Sequence, residues 1–282
     1  MNDAITLLSP AKLNLFLHVT GRRADGYHQL QTLFQLLDWG DQLTFKINDS
    51  GELKLTGDTL DIPAEQNLIM RAARALPRDA ARYGVSIHLE KHIPTGGGLG
   101  GGSSNAATTL LALNQLWELS LTPEQLLATA AKLGADVPIF VAGHTAWAEG
   151  IGERLTPLDM PEYWYLVIAP DCHVSTAEVF SHRQLTRDTS PIKIAAFFEG
   201  HSRNDCQALV TSLHPEVGNA LNWLENFGEA KMTGTGACVF CSFPDEHSAR
   251  SALSQLPRPM RGFVARGVNE SPVHTALARP KV

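Results

Sequence analysis

Pro94-Thr95-Gly96-Gly97-Gly98-Leu99-Gly100-Gly101-Gly102-Ser103-Ser104-Asn105 is the stretch on which the reading of this chain turns. Six of its twelve residues are glycine. It follows Val85, Ile87 and Leu89, whose alternation reads as a strand, and precedes a helix expected from about Ser104 to Trp117, with Leu110, Leu111 and Leu113 as apolar positions. Without Cβ atoms the backbone can take positive φ and approach a ligand closely. Successive N–H groups then point at an anion, and the dipole of the following helix adds to the attraction. A polyphosphate suits this chemistry. A flexible linker has a similar composition, but linkers rarely join a strand directly to an apolar helix.

Two familiar phosphate folds fail on spacing. Gly96, Gly98 and Gly101 satisfy G-x-G-x-x-G, yet a dinucleotide unit needs a second strand ending in an acid about 20 residues on. Here Thr122-Pro123-Glu124-Gln125 starts another helix, with Thr as cap, Pro in the first position and Gln closing the capping box. A Walker loop needs Lys directly after its last glycine, and that place is held by Gly102. The glycine loop must therefore draw its cation and base from elsewhere in the chain.

Two residues have the right chemistry. Lys12 lies in Ala11-Lys12-Leu13-Asn14-Leu15, where Lys12 and Asn14 share one face of a strand. It reads either as an edge lysine snorkelling to water or as the cation of a site. Asp136 lies among apolar residues in Gly134-Ala135-Asp136-Val137-Pro138-Ile139, as the N-cap of a helix starting at Pro138 or as a base.

Outward from these segments the chain mixes strands and helices. Ile5 to Val19, Leu43 to Ile47, Leu53 to Leu55, Thr145 to Ala148, Tyr163 to Ala169 and Phe263-Val264 read as strands, and a strand pair flanks Thr233-Gly234-Thr235-Gly236. Helices are expected from Asn67 through Leu76, in a turn-rich piece ending near Gly84, from Thr122 to Gly134, and around 206–213, 216–227 and 246–256. There is no strict βαβ rhythm, so the fold class is α+β. At roughly 150 residues per domain, 282 residues make one large domain or two modest ones, and a soft boundary falls near 155–160.

Composition narrows the partners. Hydrophobic residues at 44% and charged residues at 18% are ordinary for a globular chain. Lys plus Arg less Asp plus Glu is 23 − 29 = −6, which argues against nucleic acid bound on a broad basic face. No membrane span is expected, since the uncharged run from Ile93 opens with Gly, Ser, Thr and Asn. Met1-Asn2-Asp3 lacks the basic start of an export signal, so the expected location is cytoplasmic. Cys238 and Cys241 form a C-x-x-C on a strand, where residues three apart face opposite ways, so they are not expected to share a metal. All four cysteines are expected buried and reduced.

Together the strand Pro10 to Leu15, the loop Pro94 to Asn105, Gly134 to Pro138 and Thr233 to Ala237 resemble the GHMP small-molecule kinases, which include galactokinase, homoserine kinase and mevalonate kinase. Arg22-Arg23-Ala24-Asp25-Gly26-Tyr27-His28 resembles the branch whose acceptor is 4-diphosphocytidyl-2-C-methyl-D-erythritol, in the non-mevalonate route to isoprenoid precursors. Gly267 to Pro272 fits as well, so the resemblance covers essentially the whole chain.

The resemblance implies a two-domain architecture, 1–157 and 158–282, of mixed sheets and packed helices with the active site in the cleft between domains. It implies ATP as co-substrate and phosphoryl transfer to the 2-hydroxyl of the methylerythritol, with Asp136 as general base and Lys12 as its cationic partner. Residues 94–104, namely Pro94, Thr95, Gly96, Gly97, Gly98, Leu99, Gly100, Gly101, Gly102, Ser103 and Ser104, would bind the nucleotide, with Asn67 near the adenine. Tyr27 and Phe180 would sandwich the cytosine, His28 would read its edge, and Asn14 and Thr176 would meet the methylerythritol and its phosphates. In the wider family serines directly follow Gly-Leu-Gly and one helps hold magnesium; here Gly101 and Gly102 stand there, so the metal ligands stay unassigned. Mg²⁺ is expected through the nucleotide and water, and the protein as a monomer or weak homodimer. Homoserine or mevalonate as acceptor, and a catalytically silent nucleotide-binding protein, are the competing readings.

Overall fold

The computed structural model describes residues 4–60, 62–77 and 84–279. Its first half is built from β1 (Ile5–Arg22), β2 (His28–Asn48), β3 (Leu53–Gly57), α1 (Leu68–Ala75), β4 (Gly84–Glu90), α2 (Gly101–Leu116), α3 (Pro123–Leu133), α4 (Val137–Ala142), β5 (Ala146–Gly150) and β6 (Arg154–Pro157). The second half holds β7 (Trp164–Ala169), α5 (Thr176–Ser181), α6 (Ile194–Phe198), α7 (Gln207–Leu213), α8 (Pro215–Leu224), β8 (Ala230–Met232), β9 (Val239–Phe243), α9 (Glu246–Ser254), β10 (Arg261–Val268) and α10 (Pro272–Leu277). The mixture is α+β, as the sequence reading expected.

Local chemistry fixes the element ends. The Asn67 side chain accepts from Ile69 N and starts α1. Thr122 and Gln125 form a full capping box at α3, and Gly134 closes that helix. The α2 helix begins at Gly101, three residues before the expected start, because Gly100 takes the left-handed conformation at φ 75° and acts as its cap.

The strands form one connected, mostly antiparallel sheet in the order β3-β4-β2-β10-β7-β9-β8, with β1 and β5 also pairing with β2. Among the described strands only β3 and β4 run parallel, Leu53 lying opposite Val85. The strand β10 joins the halves: Gly267 and Val268 pair with Leu37 and Leu36, while Arg261 to Arg266 pair with β7. Three apolar clusters follow. One packs β2 and β4 against α1, α2 and α4, a second packs β7 and β9 against α7 and α8, and a third around Leu13, Leu99, Tyr165 and Phe240 lies between them. Val268 and Val273 join the first cluster, so the end of β10 and α10 complete the N-terminal core rather than that of residues 158–282.

Several elements differ from the expectation. The long β2 was read only from Leu43 onward, because residues 31–37 are buried on both faces and carry no alternation. Helices α5, α6 and α10 span six, five and six residues, too short for a helical period to show. The turn-rich piece before Gly84 lies mostly outside the described residues. Cys238 and Cys241 do face opposite ways, into different clusters, and burial pushes their thiols up to about 12 and about 11. All four cysteines are free, but Cys172 is only half-buried, contrary to expectation, because it lies at the edge of the second cluster rather than inside it. No helix among the described residues is long and apolar enough to cross a membrane.

Candidate active site

The glycine loop is the meeting point of three remote segments. Lys12 of β1 donates its backbone N–H to Leu99 O at 3.0 Å, which lays the loop along the strand. From the other side, Ala237 N and Cys238 N reach Gly96 O and Gly97 O at 3.3 and 3.2 Å. The Thr233 hydroxyl donates to Gly98 O at 3.2 Å and accepts from Asn14 N at 2.9 Å. The loop is thereby stapled between β1 and the β8–β9 turn. Gly96, Gly98 and Gly100 all take positive φ, so the chain reverses repeatedly within five residues before entering α2. The first residues of α2, Gly101 to Ser103, line the cavity, and their amides have no carbonyl to bond within the helix, which leaves them for an anion.

Lys12 is not an edge residue. Its side chain is buried, and Nζ donates to Asn14 Oδ1 at 2.5 Å and to Gly98 O at 2.9 Å, with Asp136 Oδ2 at 3.3 Å. The ammonium also stands 5.4 Å from the centre of the Phe34 ring. Asp136 occupies the N-cap position of α4 by backbone alone; its side chain makes no capping bond. Its carboxylate is therefore not spent on the helix end and is left for Lys12 and the cavity.

These groups line a cavity of about 600 Å³ that takes residues from both halves of the chain. Lys12, Asn14, Asn67, Asp136, Thr176 and Phe180 all reach it, as do the loop residues 94–103. A second depression of about 490 Å³ shares Thr176 and Phe180 with it and is lined further by Tyr27 and His28. The predicted site residues thus converge, with refinements. Asn14 gives its carbonyl to Lys12 and its amide to Thr32, so its evident work is to position the lysine. Asn67 uses its carbonyl to cap α1, leaving its amide for a ligand. Leu99 contributes backbone only, its side chain being buried in the third cluster. Ser104 is a correction: its hydroxyl bonds Ser9 inside the core and its amide bonds Gly100 O, so it faces away from the cavity that Ser103 lines.

At the second depression His28 stacks on Phe180, ring centres 5.0 Å apart, and accepts from Arg187 Nε at 3.0 Å. Burial, then Arg187 and Arg22, hold its imidazole below the ordinary histidine range. Tyr27 projects into solvent at 61% exposure instead of packing on Phe180. Thr176 and Thr235 share a hydroxyl bond of 2.9 Å at the seam between the two depressions.

Sequence reasoning missed Lys91, Thr235 and Arg187. Lys91 lines the main cavity, its Nζ held by Asp41 Oδ2 at 2.6 Å and Ile93 O at 2.9 Å. Asp41 is fully buried and also takes His92 N, Ile93 N and Asn105 Nδ2, so one carboxylate ties β2, the loop entry and α2 together. Thr235 sat within a quoted motif and was the one a sequence signal offered; a lysine and a carboxylate fifty residues apart offered none.

The GHMP kinases N-terminal domain matches residues 67–144 and the GHMP kinases C-terminal domain matches residues 182–262. The chain is 54% identical, over all of both chains, to the 4-diphosphocytidyl-2-C-methyl-D-erythritol kinase of Marinobacter nauticus. It is 55% identical to the enzyme of the same name from Pseudomonas savastanoi pv. phaseolicola, over 97% of this chain and 95% of that one. A crystal structure of 4-(cytidine 5'-diphospho)-2C-methyl-D-erythritol kinase superposes with a TM-score of 0.82 at 35% identity, covering 93% of this chain and 99% of that chain. Homoserine kinase from Cytophaga hutchinsonii shares the fold at a TM-score of 0.64 and 16% identity. The chain belongs to the GHMP kinase family, in the branch of the 4-diphosphocytidyl-2-C-methyl-D-erythritol kinases.

Proposed function

We propose that this protein transfers the γ-phosphoryl group of ATP to the 2-hydroxyl of 4-diphosphocytidyl-2-C-methyl-D-erythritol, with Asp136 as general base. The observation that carries this reading is the approach of Lys12 Nζ to Asp136 Oδ2, 3.3 Å, beside the glycine loop in a cavity open at Asp136. The acceptor oxygen bonds to the γ-phosphorus as the bond to the β,γ-bridging oxygen breaks and ADP leaves. A carboxylate is too weak a base to deprotonate an alcohol outright. It accepts the hydroxyl proton late, when the phosphoryl group is already largely detached from ADP. Lys12 offsets the negative charge of the carboxylate and of the developing alkoxide. The loop amides and the start of α2 hold the phosphates in line with the acceptor, and positioning of this kind supplies much of the acceleration. Lys91, beside Gly101 in the same cavity, offers an ammonium whose charge is shared with Asp41.

Magnesium would fit as a companion of the nucleotide: the Ser103 hydroxyl is a hard oxygen on the cavity wall, and the nucleotide's phosphates and water would supply the rest of its shell. Bound there, it would neutralise phosphate charge. The cytidine end is assigned to the second depression, where Phe180 offers a stacking face, Tyr27 stands free to close over a base, and His28 offers a polar edge. Thr176 sits where a diphosphate would pass from one depression to the other. The free thiols suit a reducing cytoplasm.

ADP release measured with and without the cytidyl alcohol tests the reading. Turnover with it, and not with homoserine or mevalonate, is the expected result. Activity on either of those alone overturns the acceptor, and no turnover with any acceptor favours a silent nucleotide-binding protein.

A further inference from the structure

Arg187 is held more firmly than a half-buried arginine needs to be. Its Nη1 donates to Leu185 O at 3.0 Å, and its Nη2 donates to Phe180 O at 2.8 Å and His182 O at 2.7 Å. Three carbonyls at and beyond the end of α5 therefore fix the guanidinium plane. A fourth donor, Nε, is aimed at His28 Nε2 at 3.0 Å. A guanidinium can only donate, so His28 Nε2 must accept and carries no proton. A neutral imidazole has one N–H, which is then on Nδ1. Burial and the charges of Arg187 and Arg22 keep the ring neutral, and stacking on Phe180 fixes its plane. Among the described residues nothing else bonds this ring.

We infer that Arg187 is a positioning residue that locks His28 in the Nδ1–H tautomer, and that this lock makes the site select cytosine over uracil. The inference rests on the assignment of the cytidine end to this depression. Hydrogen-bond polarity separates the two bases. Cytosine presents N3 and O2 as adjacent acceptors, which an Nδ1–H can meet. Uracil has the same outline but carries a proton on N3, so two donors would face each other and one would stay unpaired. A histidine free to exchange tautomers could accept from uracil N3–H and would discriminate poorly. Aromatic stacking cannot supply the distinction, because both bases offer similar faces to Phe180 and Tyr27. The distant, sequence-silent arginine thus decides which pyrimidine is read, without touching the base itself.

The tautomer is measured directly on full-length protein with ¹⁵N-labelled histidine, by long-range ¹H–¹⁵N correlation without substrate. The proton is expected on Nδ1 of His28 in the wild type and on both nitrogens in exchange in Arg187→Met. Kinetically, the ratio of kcat/KM for the cytidyl alcohol to that for its uridyl counterpart should fall about tenfold in Arg187→Met. It should recover in part in Arg187→Lys, which keeps a charged donor. A wild-type proton on Nε2 overturns the inference. So does an unchanged ratio in an Arg187→Met protein that melts like the wild type. Should Arg187→Met fail to fold, the wild-type spectrum and the Arg187→Lys ratio decide the matter. Absence of wild-type turnover with the cytidyl alcohol counts against the substrate assignment alone, because the spectrum needs no substrate.

Discussion

Lys12 Nζ lies 3.3 Å from Asp136 Oδ2, yet the two side chains differ sharply in exposure, 3% against 37%. The cation is built into the protein, held by Asn14 and the Gly98 carbonyl, whereas the carboxylate looks outward into the cavity. The carboxylate is the more exposed of the two, and the proposed mechanism has it meet the substrate hydroxyl. Asp136→Asn should therefore lower kcat by about 10²–10⁴, the range for losing a general base, with KM for ATP nearly unchanged. Steady-state kinetics checks this, and a defect confined to KM would remove Asp136 from the role of base.

Lys12→Met is expected to differ in kind. It should lower kcat as well, but it also strips the donor from Asn14 Oδ1 and Gly98 O in a buried setting. Leaving such acceptors unpaired costs about 1–3 kcal/mol. Thermal melts should show a clear loss for Lys12→Met and almost none for Asp136→Asn. Equal melting temperatures for the two variants would contradict the division of labour between them.

The parts of this site that could be read in advance share one property: their chemistry is visible within a few consecutive residues. Six glycines between a strand and a helix announce an anion site, and an acid among apolar residues invites a role. What the sequence left open was which reading held, since Lys12 as an edge residue and Asp136 as a helix cap are equally good local stories. Tertiary contacts bury Lys12 and leave the Asp136 side chain without a capping bond. The first half of β2 shows no strand signal because burial of residues 31–37 on both faces removes the alternation that marks a half-buried strand. Arg187 and the Asp41–Lys91 pair act across long sequence separations, 159 residues for Arg187 and His28, 50 for Asp41 and Lys91, and no local pattern encodes them.

Tyr27 should matter to binding and not to folding. At 61% exposure its ring contributes little to the packed structure, but it lines the depression assigned to cytidine. A base–aromatic stack is worth about 1–3 kcal/mol. Tyr27→Ala should raise KM for the cytidyl alcohol roughly tenfold or more, with an unchanged melting temperature and little change in KM for ATP. An unaltered KM for the cytidyl alcohol would take Tyr27 out of the site.

Stability should fall as the pH drops below the ordinary histidine range. Burial lowers the pKa of His18 and His274, and burial with two arginines lowers that of His28. Each group's folded pKa lies below its unfolded value, so the unfolded chain binds more protons between the two. The contribution of these neutral rings is complete above pH about 6.5 and is lost as the pH falls from there toward their folded values. Unfolding measured in denaturant should show ΔG rising with pH across that window. A flat or falling ΔG would mean that these rings are already charged in the native state.

The sharpest contrast lies within the glycine loop, where neighbouring glycines are required for different reasons. Gly98 has φ 73°, and a Cβ there would fall inside the Thr233 carbonyl oxygen, which is backbone and cannot swing aside. Gly98→Ala therefore meets both a disfavoured conformation and a collision with the turn that staples the loop. A strained backbone of this kind costs about 1–3 kcal/mol before the collision is counted. Gly102 lies in the first turn of α2, and a Cβ on it would meet only Leu68 Cδ1, at an ordinary 3.5 Å. Alanine is favoured over glycine in helices by up to about 1 kcal/mol. Gly102→Ala should accordingly melt at or slightly above the wild-type temperature, while Gly98→Ala melts well below it or fails to fold. If composition alone made the loop, the two variants would behave alike; the geometry requires that they diverge.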